Sequence, residues 1–363
     1  VSAREREIEA IRAEIDAVDR ELLRLLNERA RLAERVARAK IRAGEGDDIY
    51  RPDREAAVRR ALVEANPGPL PDEDIERLFG EVLSACRALQ RPISVAFLGP
   101  RGTFTEAAAL KHFGHAVESR ALESIDAVFR EVEASEVDFG IVPVENSTEG
   151  VVNHTLDRFM GSALAICGEV ELRIHHLLMA AEAVPLAELA RVYSHQQSLA
   201  QCRRWLDRNL PAAERLAVAS NAEAARRAVR EAGAAAIAGP VAAETYGLEV
   251  LARNIEDEPD NTTRFLVIGR HPARPSGFDK TSLLLSARNR PGALFHLLET
   301  FARHGISMTR IESRPARSGL WEYVFFIDVE GHAGEEPLRS ALAELEREAA
   351  MCRVLGSYPR CAR

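Results

Sequence analysis

Lysine is almost missing from this chain: of its 48 Lys and Arg residues only Lys40, Lys111 and Lys280 are lysines, so a lysine in a charged cluster stands out. Cysteine is sparse. The five cysteines, Cys86, Cys167, Cys202, Cys352 and Cys361, form no CxxC pair. That argues against a disulfide framework and a cysteine zinc site, and it fits a reducing cytoplasm. No apolar run approaches the roughly 20 residues of a membrane span, and the N-terminal residues are highly charged where a signal peptide needs an apolar segment. A cytoplasmic protein without membrane contact is therefore expected. Positive charge is not in excess: 48 basic residues stand against 56 acidic ones, a net charge of -8, which argues against a nucleic-acid footprint over the whole surface. "GPRGTFT" (99–105) is neither a Walker loop nor a dinucleotide fingerprint. There is no internal repeat and no low-complexity tract.

What the chain does contain falls into three segments. Its 363 residues, 46% of them hydrophobic, supply two or three domains at roughly 100 to 200 residues each. From residue 1 to about 91 the pattern is helical, because Ile8, Ile11, Ile15, Val18, Leu22, Leu25, Leu32 and Val36 alternate steps of three and four along one stripe. "GEGDD" (44–48) breaks this helix, Pro52 suits the first turn of a second running to about Ala65, and "NPGPLPDED" precedes a third ending at Gln90. One long helix with two short partners does not easily close a core, so dimerisation is expected. From Arg91-Pro92 strands alternate with helices: "ISVAFLG", "DFGIVPV", "RVYS", "RLAVA", "AAAIAG" and "RFLVIG" as strands, with "TEAAALKHF", "GVVNHTLDRF", "SLAQCRRWL" and "AEAARRAVREAG" between them. This α/β order predicts two lobes with a cleft, the chain crossing near 173 to 180 and returning at "RFLVIG". After the Pro-rich "RHPARPSG" the order is βαββαβ, a split βαβ sandwich.

In the helical segment Arg29 sits on the apolar stripe, where a lone guanidinium is expensive to desolvate unless an anion answers it. Lys40 is 11 residues on, within about 20° of the same face and roughly 16 Å along the axis, so both cations can reach one ligand. Arg12, roughly 25 Å before Arg29 and about 100° around, can serve that ligand only from an antiparallel partner subunit. The plainer reading of the basic helix end is compensation of the helix dipole. Arg54 and Glu55 at the second helix start, and Cys86 and Gln90 on the third, add a cation, an acceptor and an amide donor. Here the chain resembles the helical chorismate mutase family, whose substrate-binding positions are matched by Arg12, Arg29, Lys40, Arg54, Glu55 and Gln90. Arg51 and Cys86 depart from the Asp and Ser of some members. The resemblance implies a concerted rearrangement of chorismate to prephenate. Arginines would hold the dicarboxylate, while Lys40 and Gln90 stabilise charge on the breaking ether oxygen.

In the α/β segment, strand ends run into polar helix starts. Thr103 with Glu106, Ser198 with Gln201, and Ser220 with Glu223 have capping-box spacing. Capping accounts for most of these hydroxyls, yet helix N-termini facing one cleft also suit a small anion. "DEPDNTTRFLVIG" (257–269) puts two threonines and an arginine where a strand begins; taken in isolation the plain reading is turn chemistry, and the functional one needs the rest of the chain. Together "GPRGTFTEAA", "GIVPVENSTEGVVNHTLDRF", "YSHQQSLAQC" and "NTTRFLVIG" resemble prephenate dehydratase over roughly residues 94 to 270. The resemblance implies a two-lobed domain of periplasmic-binding-protein type, with Thr263 as the catalytic threonine. It also places Asn146, Ser194, His195, Gln201 and Arg264 at or near the substrate. Thr263 would donate to the departing oxygen, with His195 a candidate proton relay or merely a helix cap. His175 and His176 have no ligand-spaced partners and read as structural.

The last 85 or so residues resemble an ACT domain of ferredoxin-like α+β fold. "PGALF" (Pro291 to Phe295) and "ESRP" (Glu312 to Pro315) match the phenylalanine-binding motifs of these dehydratases, which implicates Gly292, Ala293, Leu294, Glu312, Ser313 and Arg314. As a whole the chain resembles the bifunctional chorismate mutase/prephenate dehydratase family of phenylalanine biosynthesis. The resemblance implies domains at 1–91, 92–272 and 278–363, feedback inhibition by L-phenylalanine, a homodimer or higher homo-oligomer, and no metal or cofactor. A non-catalytic ligand sensor is the alternative of another class, and arogenate dehydratase the nearer one among enzymes.

Overall fold

The computed structural model describes residues 3–44, 50–287, 291–316 and 323–361. Its contacts divide it into two units. The first takes in Val1–Arg51, Arg59–Ile93 and Phe113–Val117, and the second Pro52–Val58, Ser94–His112 and Glu118–Arg363.

Three helices make most of the first unit: α1 (Ala3–Arg42), α2 (Pro52–Glu64, shared with the second unit) and α3 (Asp72–Ala88). Helix α1 closes with Lys40 and Arg42 in its last turn and Gly44 beyond it at φ 77°, while residues 45–48 of "GEGDD" lie outside the described residues. Pro52 opens α2, where its missing N–H costs nothing. Helix α3 begins with Asp72, Glu73 and Asp74, three carboxylates that suit the positive end of its dipole. It packs on α1. Its buried side secures the segment that follows residue 112, with Arg87 donating to the Phe113 carbonyl at 2.6 Å and stacked 5.2 Å over Tyr50.

The second unit holds three sheets. Sheet A contains β1 (Ser94–Leu98), β2 (Glu118–Leu122), β3 (Phe139–Asn146), β4 (Gly150–Val151), β5 (Ala165–Arg173) and β11 (Thr262–Gly269), in the order β2-β1-β3-β11-β5 with β4 beside β3. Its helices are α4 (Phe104–Phe113), α5 (Ile125–Glu133) and α6 (Asn153–Gly161). Sheet B contains β6 (Leu177–Ala180), β7 (Arg191–His195), β8 (Glu214–Val218), β9 (Ala234–Ala238) and β10 (Glu249–Ala252), in the order β10-β6-β9-β7-β8. Beside it lie α7 (Gln196–Gln201), α8 (Arg203–Asn209), α9 (Asn221–Arg230) and α10 (Pro240–Tyr246). Both sheets are mixed. The chain leaves sheet A after β5 and returns to it with β11, the two crossings the sequence predicts. Sequence reading passes over β2, β5, β10, α5 and α10. "ESRAL" is half exposed at the sheet edge and lacks an apolar run, whereas α5 is capped by Ser124, whose hydroxyl accepts from Ala127 N at 3.1 Å. "SLAQCRRWL" is two helices rather than one. Asp257 reaches in to accept from Arg204 N at 2.9 Å and Trp205 N at 3.2 Å, giving α8 a start of its own.

Sheet C, antiparallel throughout, contains β12 (Asp279–Ser286), β13 (Met308–Pro315), β14 (Tyr323–Glu330) and β15 (Met351–Pro359) in the order β13-β14-β12-β15, with α11 (Ala293–Arg303) and α12 (Leu338–Glu348). Strand alternation divides its side chains between two cores. Leu283, Leu285, Ile327 and Val329 pack under α11 and α12, whereas Leu284, Val324, Phe326, Leu355 and Tyr358 join the core of sheet A. The Pro-rich "RHPARPSG" does not hold the two sheets apart. The structure instead gives sheet C a face shared with sheet A, so closely applied that Gly356 has no room for a side chain against the Ile166 backbone. Among the described residues no helix is long and apolar enough to cross a membrane.

Candidate active sites

Antiparallel pairing of β11 with β3 sets Thr263 opposite Asn146 and Arg264 opposite Glu145. The Asn146 amide donates to Thr263 Oγ1 at 2.8 Å and lies 2.8 Å from Asn261 Oδ1, while its own Oδ1 accepts from Thr148 N at 3.0 Å and Glu149 N at 2.9 Å. An amide pinned at both ends fixes the threonine: one lone pair of Oγ1 is taken, and the hydroxyl proton is left to donate. Thr262, one residue back, faces the other way, with its hydroxyl on the Asp260 carbonyl at 3.3 Å. Asn261 is only 3% exposed, and its carbonyl also accepts from Ile174 N at 2.8 Å. Sequence reading assigns Asn261 to a turn, since nothing local announces that its side chain meets one 115 residues away.

Arg264 is not brought to this cluster. Alternation turns it to the opposite face of the sheet, where Nε donates to Glu169 at 2.9 Å, Nη1 to Asp328 at 2.7 Å and Nη2 to the Tyr358 hydroxyl at 3.0 Å. Ser194 and His195 stay on sheet B. Ser194 is fully buried and donates to the Ile237 carbonyl at 2.7 Å; His195 is exposed and caps α7, its Nδ1 accepting from Gln197 N at 3.3 Å. Ser198 is not a cap. It lies inside α7, bonded to Asn221, whose Oδ1 also accepts from His195 N at 3.0 Å. Asn221, hidden in the "SNAE" capping pattern, thus ties β7, α7 and α9 together.

Gln201 meets the histidine that the sequence leaves as structural. His176 Nε2 is 2.8 Å from Gln201 Oε1, so that nitrogen carries the proton, and burial holds the imidazole below its ordinary pKa, hence neutral. Glu256 anchors the pair, bonding His175 Nδ1 at 2.8 Å and His176 N at 2.9 Å. Gln201 and Asn261 both line a cavity of about 330 Å³. Glu149, Glu256, Asp257 and Glu258 against Arg204 make its wall net acidic, so the cavity alone is a poor receptor for a dianion. Among the described residues no group of three or more His, Cys, Asp or Glu is placed to hold a metal ion.

In the first unit Arg12, Arg29 and Lys40 lie on α1, Arg29 and Lys40 half-buried and Arg12 exposed. Gln90 follows the end of α3, its N–H on the Arg87 carbonyl at 2.9 Å, and Cys86 is buried. Arg54 and Glu55, in the first turn of α2, belong to the second unit.

Comparison with known proteins finds three successive matches along the chain. Residues 11–91 match the family "Chorismate mutase type II", residues 95–273 "Prephenate dehydratase" and residues 281–347 "ACT domain". The bifunctional chorismate mutase/prephenate dehydratase of Pseudomonas aeruginosa is 54% identical over 357 residues, covering 98% of each chain. This chain belongs to that family. As a bifunctional chorismate mutase/prephenate dehydratase it carries both activities, and its place is phenylalanine biosynthesis. A prephenate dehydratase from Arthrobacter aurescens, solved in complex with L-Phe, is 38% identical with a TM-score of 0.68, covering 74% of this chain and 90% of the other. A structure named as the quorum-quenching acylase GqqA gives the same TM-score at 30% identity, covering 74% and 98%. Fold alone therefore does not choose the chemistry; the full-length identity does.

The two motifs expected to bind phenylalanine, "PGALF" and "ESRP", sit on different faces of sheet C. Gly292, at φ 77°, caps α11, which Ala293 and Leu294 begin on the helix-covered face. Glu312 pairs in register with Phe326, and its side chain shares the sheet-A-facing side with Arg310 and Arg314, while Ser313 points the other way. Arg314 is held by Asp157 at 2.6 Å. Within one chain, "PGALF" and "ESRP" do not converge on one face.

Proposed function

We propose that Thr263 is the hydrogen-bond donor to the departing ring hydroxyl of prephenate. The observation that carries this is the Asn146–Thr263 bond, which leaves the threonine a donor. As the bond between ring carbon and carboxylate breaks to release carbon dioxide, its electron pair flows into the ring and the hydroxyl leaves, so a donor aimed at that oxygen acts where negative charge develops. Asn146 and Asn261 position the threonine, and Gln201 presents its amide from the other lobe. Arg264 drops out of the substrate set for the reason of strand alternation given above. Turnover of prephenate by Thr263→Ala, read as phenylpyruvate absorbance with arogenate as a control substrate, tests the assignment; undiminished turnover sinks it.

For the mutase, Arg29 and Arg54 receive the two carboxylates of chorismate, with Glu55 accepting from its hydroxyl. Lys40 and Gln90 act at the ether oxygen, and Arg12 comes from a second copy. The exposed apolar stripe of α1 supports a homodimer. L-Phenylalanine is the feedback inhibitor. It binds between two ACT domains, its amino group on Glu312 and its carboxylate at the backbone near Gly292, Ala293 and Leu294, an arrangement supported by the placement of the two motifs on different faces of one sheet. The functional segments are 1–91, 92–272 and 278–363, working in the cytoplasm without a cofactor. Assaying both reactions with and without phenylalanine tests the regulatory part.

A further inference from the structure

One step along the strands from the Thr263–Asn146 pair lies a ring of four charges. Glu145 and Arg264 are register partners on β3 and β11, and Arg310 and Asp328 are register partners on β13 and β14. Across the sheets Arg264 Nη1 donates to Asp328 at 2.7 Å and Arg310 Nε to Glu145 at 2.8 Å. Signs therefore alternate around the ring: each charge has an opposite one beside it on its own sheet and another facing it. The ring is largely dry. The side chains of Arg264, Asp328 and Arg310 are 11%, 6% and 12% exposed, and Glu145, at 38%, forms the outer corner. A void of only about 10 Å³ lies beside Arg264, Arg310 and Asp328, at the limit of what holds one water, so direct bonds carry the link.

The ring is braced from behind. Glu169 takes Arg264 Nε and the Lys280 ammonium at 2.7 Å, and Ser282 donates to Asp328 at 2.6 Å. Breaking one corner strands a buried opposite charge, which makes the ring act as a unit.

We propose that this charge ring is a positioning device for dehydration: through Glu145 and Arg264 the ACT sheet fixes the register and spacing of β3 and β11, and so the distance between Asn146 and Thr263 on the opposite face. The inference rests on the reading of Thr263 as the working hydroxyl. It makes the ACT sheet a standing part of the dehydratase in the absence of any effector. None of the four residues touches the reacting atoms.

The test uses the full-length enzyme. Arg310→Met and Asp328→Asn each lower kcat for prephenate by roughly 10 to 10²-fold with KM little changed, as small misplacements of a reacting pair do. Chorismate mutase turnover in the same samples, unchanged, certifies the preparation. Arg310→Lys, which keeps the charge, recovers part of the loss. The double variant Arg310→Met/Glu145→Gln falls no further than the worse single, because the two singles remove one interaction. Should the buried variants fail to fold, Glu145→Gln at the outer corner gives the same reading: lowered kcat with KM held. Full dehydratase turnover in Glu145→Gln and Asp328→Asn, a loss confined to KM, or additive losses in the double variant overturn the proposal. Thr263→Ala run alongside separates the two readings. Full activity there removes the threonine's role, while the ring stands or falls on its own series.

Discussion

The two units treat apolar side chains in opposite ways. On α1 the eight residues of the stripe, Ile8 through Val36, are between 41% and 59% exposed, whereas Val95, Phe97, Ile141, Val142, Val267 and Ile268 in sheet A are fully buried. The sheet unit completes its cores with its own chain; the long helix does not. Chemistry follows the same division. The proposed dehydratase residues sit in a web of bonds internal to one chain, while the proposed mutase residues are strung along a surface that a second copy would have to cover. A site of the first kind fails one residue at a time, and a site of the second kind fails when its subunits part.

The largest effects break each site at its centre. Lys40→Ala should lower mutase turnover by about 10² to 10³-fold, the usual cost of one preorganised donor, with dehydration spared. Thr263→Ala should lower dehydratase turnover by about 10²-fold or more with modest change in KM and the mutase intact, while Thr262→Ala is mild. A loss shared by both activities in either variant would erase the contrast between the units. Mixing inactive Arg12→Ala and Lys40→Ala subunits sharpens it further. Random exchange in a two-fold dimer makes half the molecules hybrids with one intact mutase site each, so about a quarter of wild-type activity should return. Dehydratase variants mixed the same way should show no such rescue.

Regulation gives a smaller effect. Glu312→Ala should desensitise dehydration to phenylalanine by roughly 5 to 150-fold, the span of an ordinary coupling energy, with turnover retained when phenylalanine is absent. Calorimetry giving wild-type affinity in this variant would clear Glu312 of contact with the ligand.

Acidity gives the smallest. Burial holds His176 below its ordinary pKa of about 6.5, so the unfolded chain takes up that proton first. Its contribution is complete above that value and shrinks as pH falls toward the lower folded value; urea midpoints between pH 7.5 and 5.5 should decline, less so in His176→Gln. Burial alone would raise the Asp328 carboxyl, but Arg264 opposes it and the net shift is downward. Its stabilisation is full above about pH 3.9 and lost only as pH falls through the lower folded value.

Local pattern carried much of this. The period of α1, the strand–helix alternation and the βαββαβ order are written in residue spacing, because each element must bury one face with its own periodicity. Thr263 and Asn146 stand out in the sequence as motif residues, and Lys40 by its rarity, which makes them candidates. "ESRAL" and the break at Cys202 do not, since an edge strand needs little apolar surface and the carboxylate that starts α8 comes from Asp257, 53 residues further on.

What the sequence by itself determined is which side chains can do chemistry and which elements hold them. Only the tertiary structure decided what those side chains face. Thr263 and Arg264 are neighbours in sequence, yet strand alternation sends one toward Asn146 and the other into a buried ring with Asp328. His176 becomes the partner of Gln201, and Asn261 that of Asn146, only when the chain closes 25 and 115 residues respectively. The physical reason is that a hydrogen bond or ion pair is decided by distances of about 3 Å between atoms, which residue order leaves unspecified until sheets pack and exclude water.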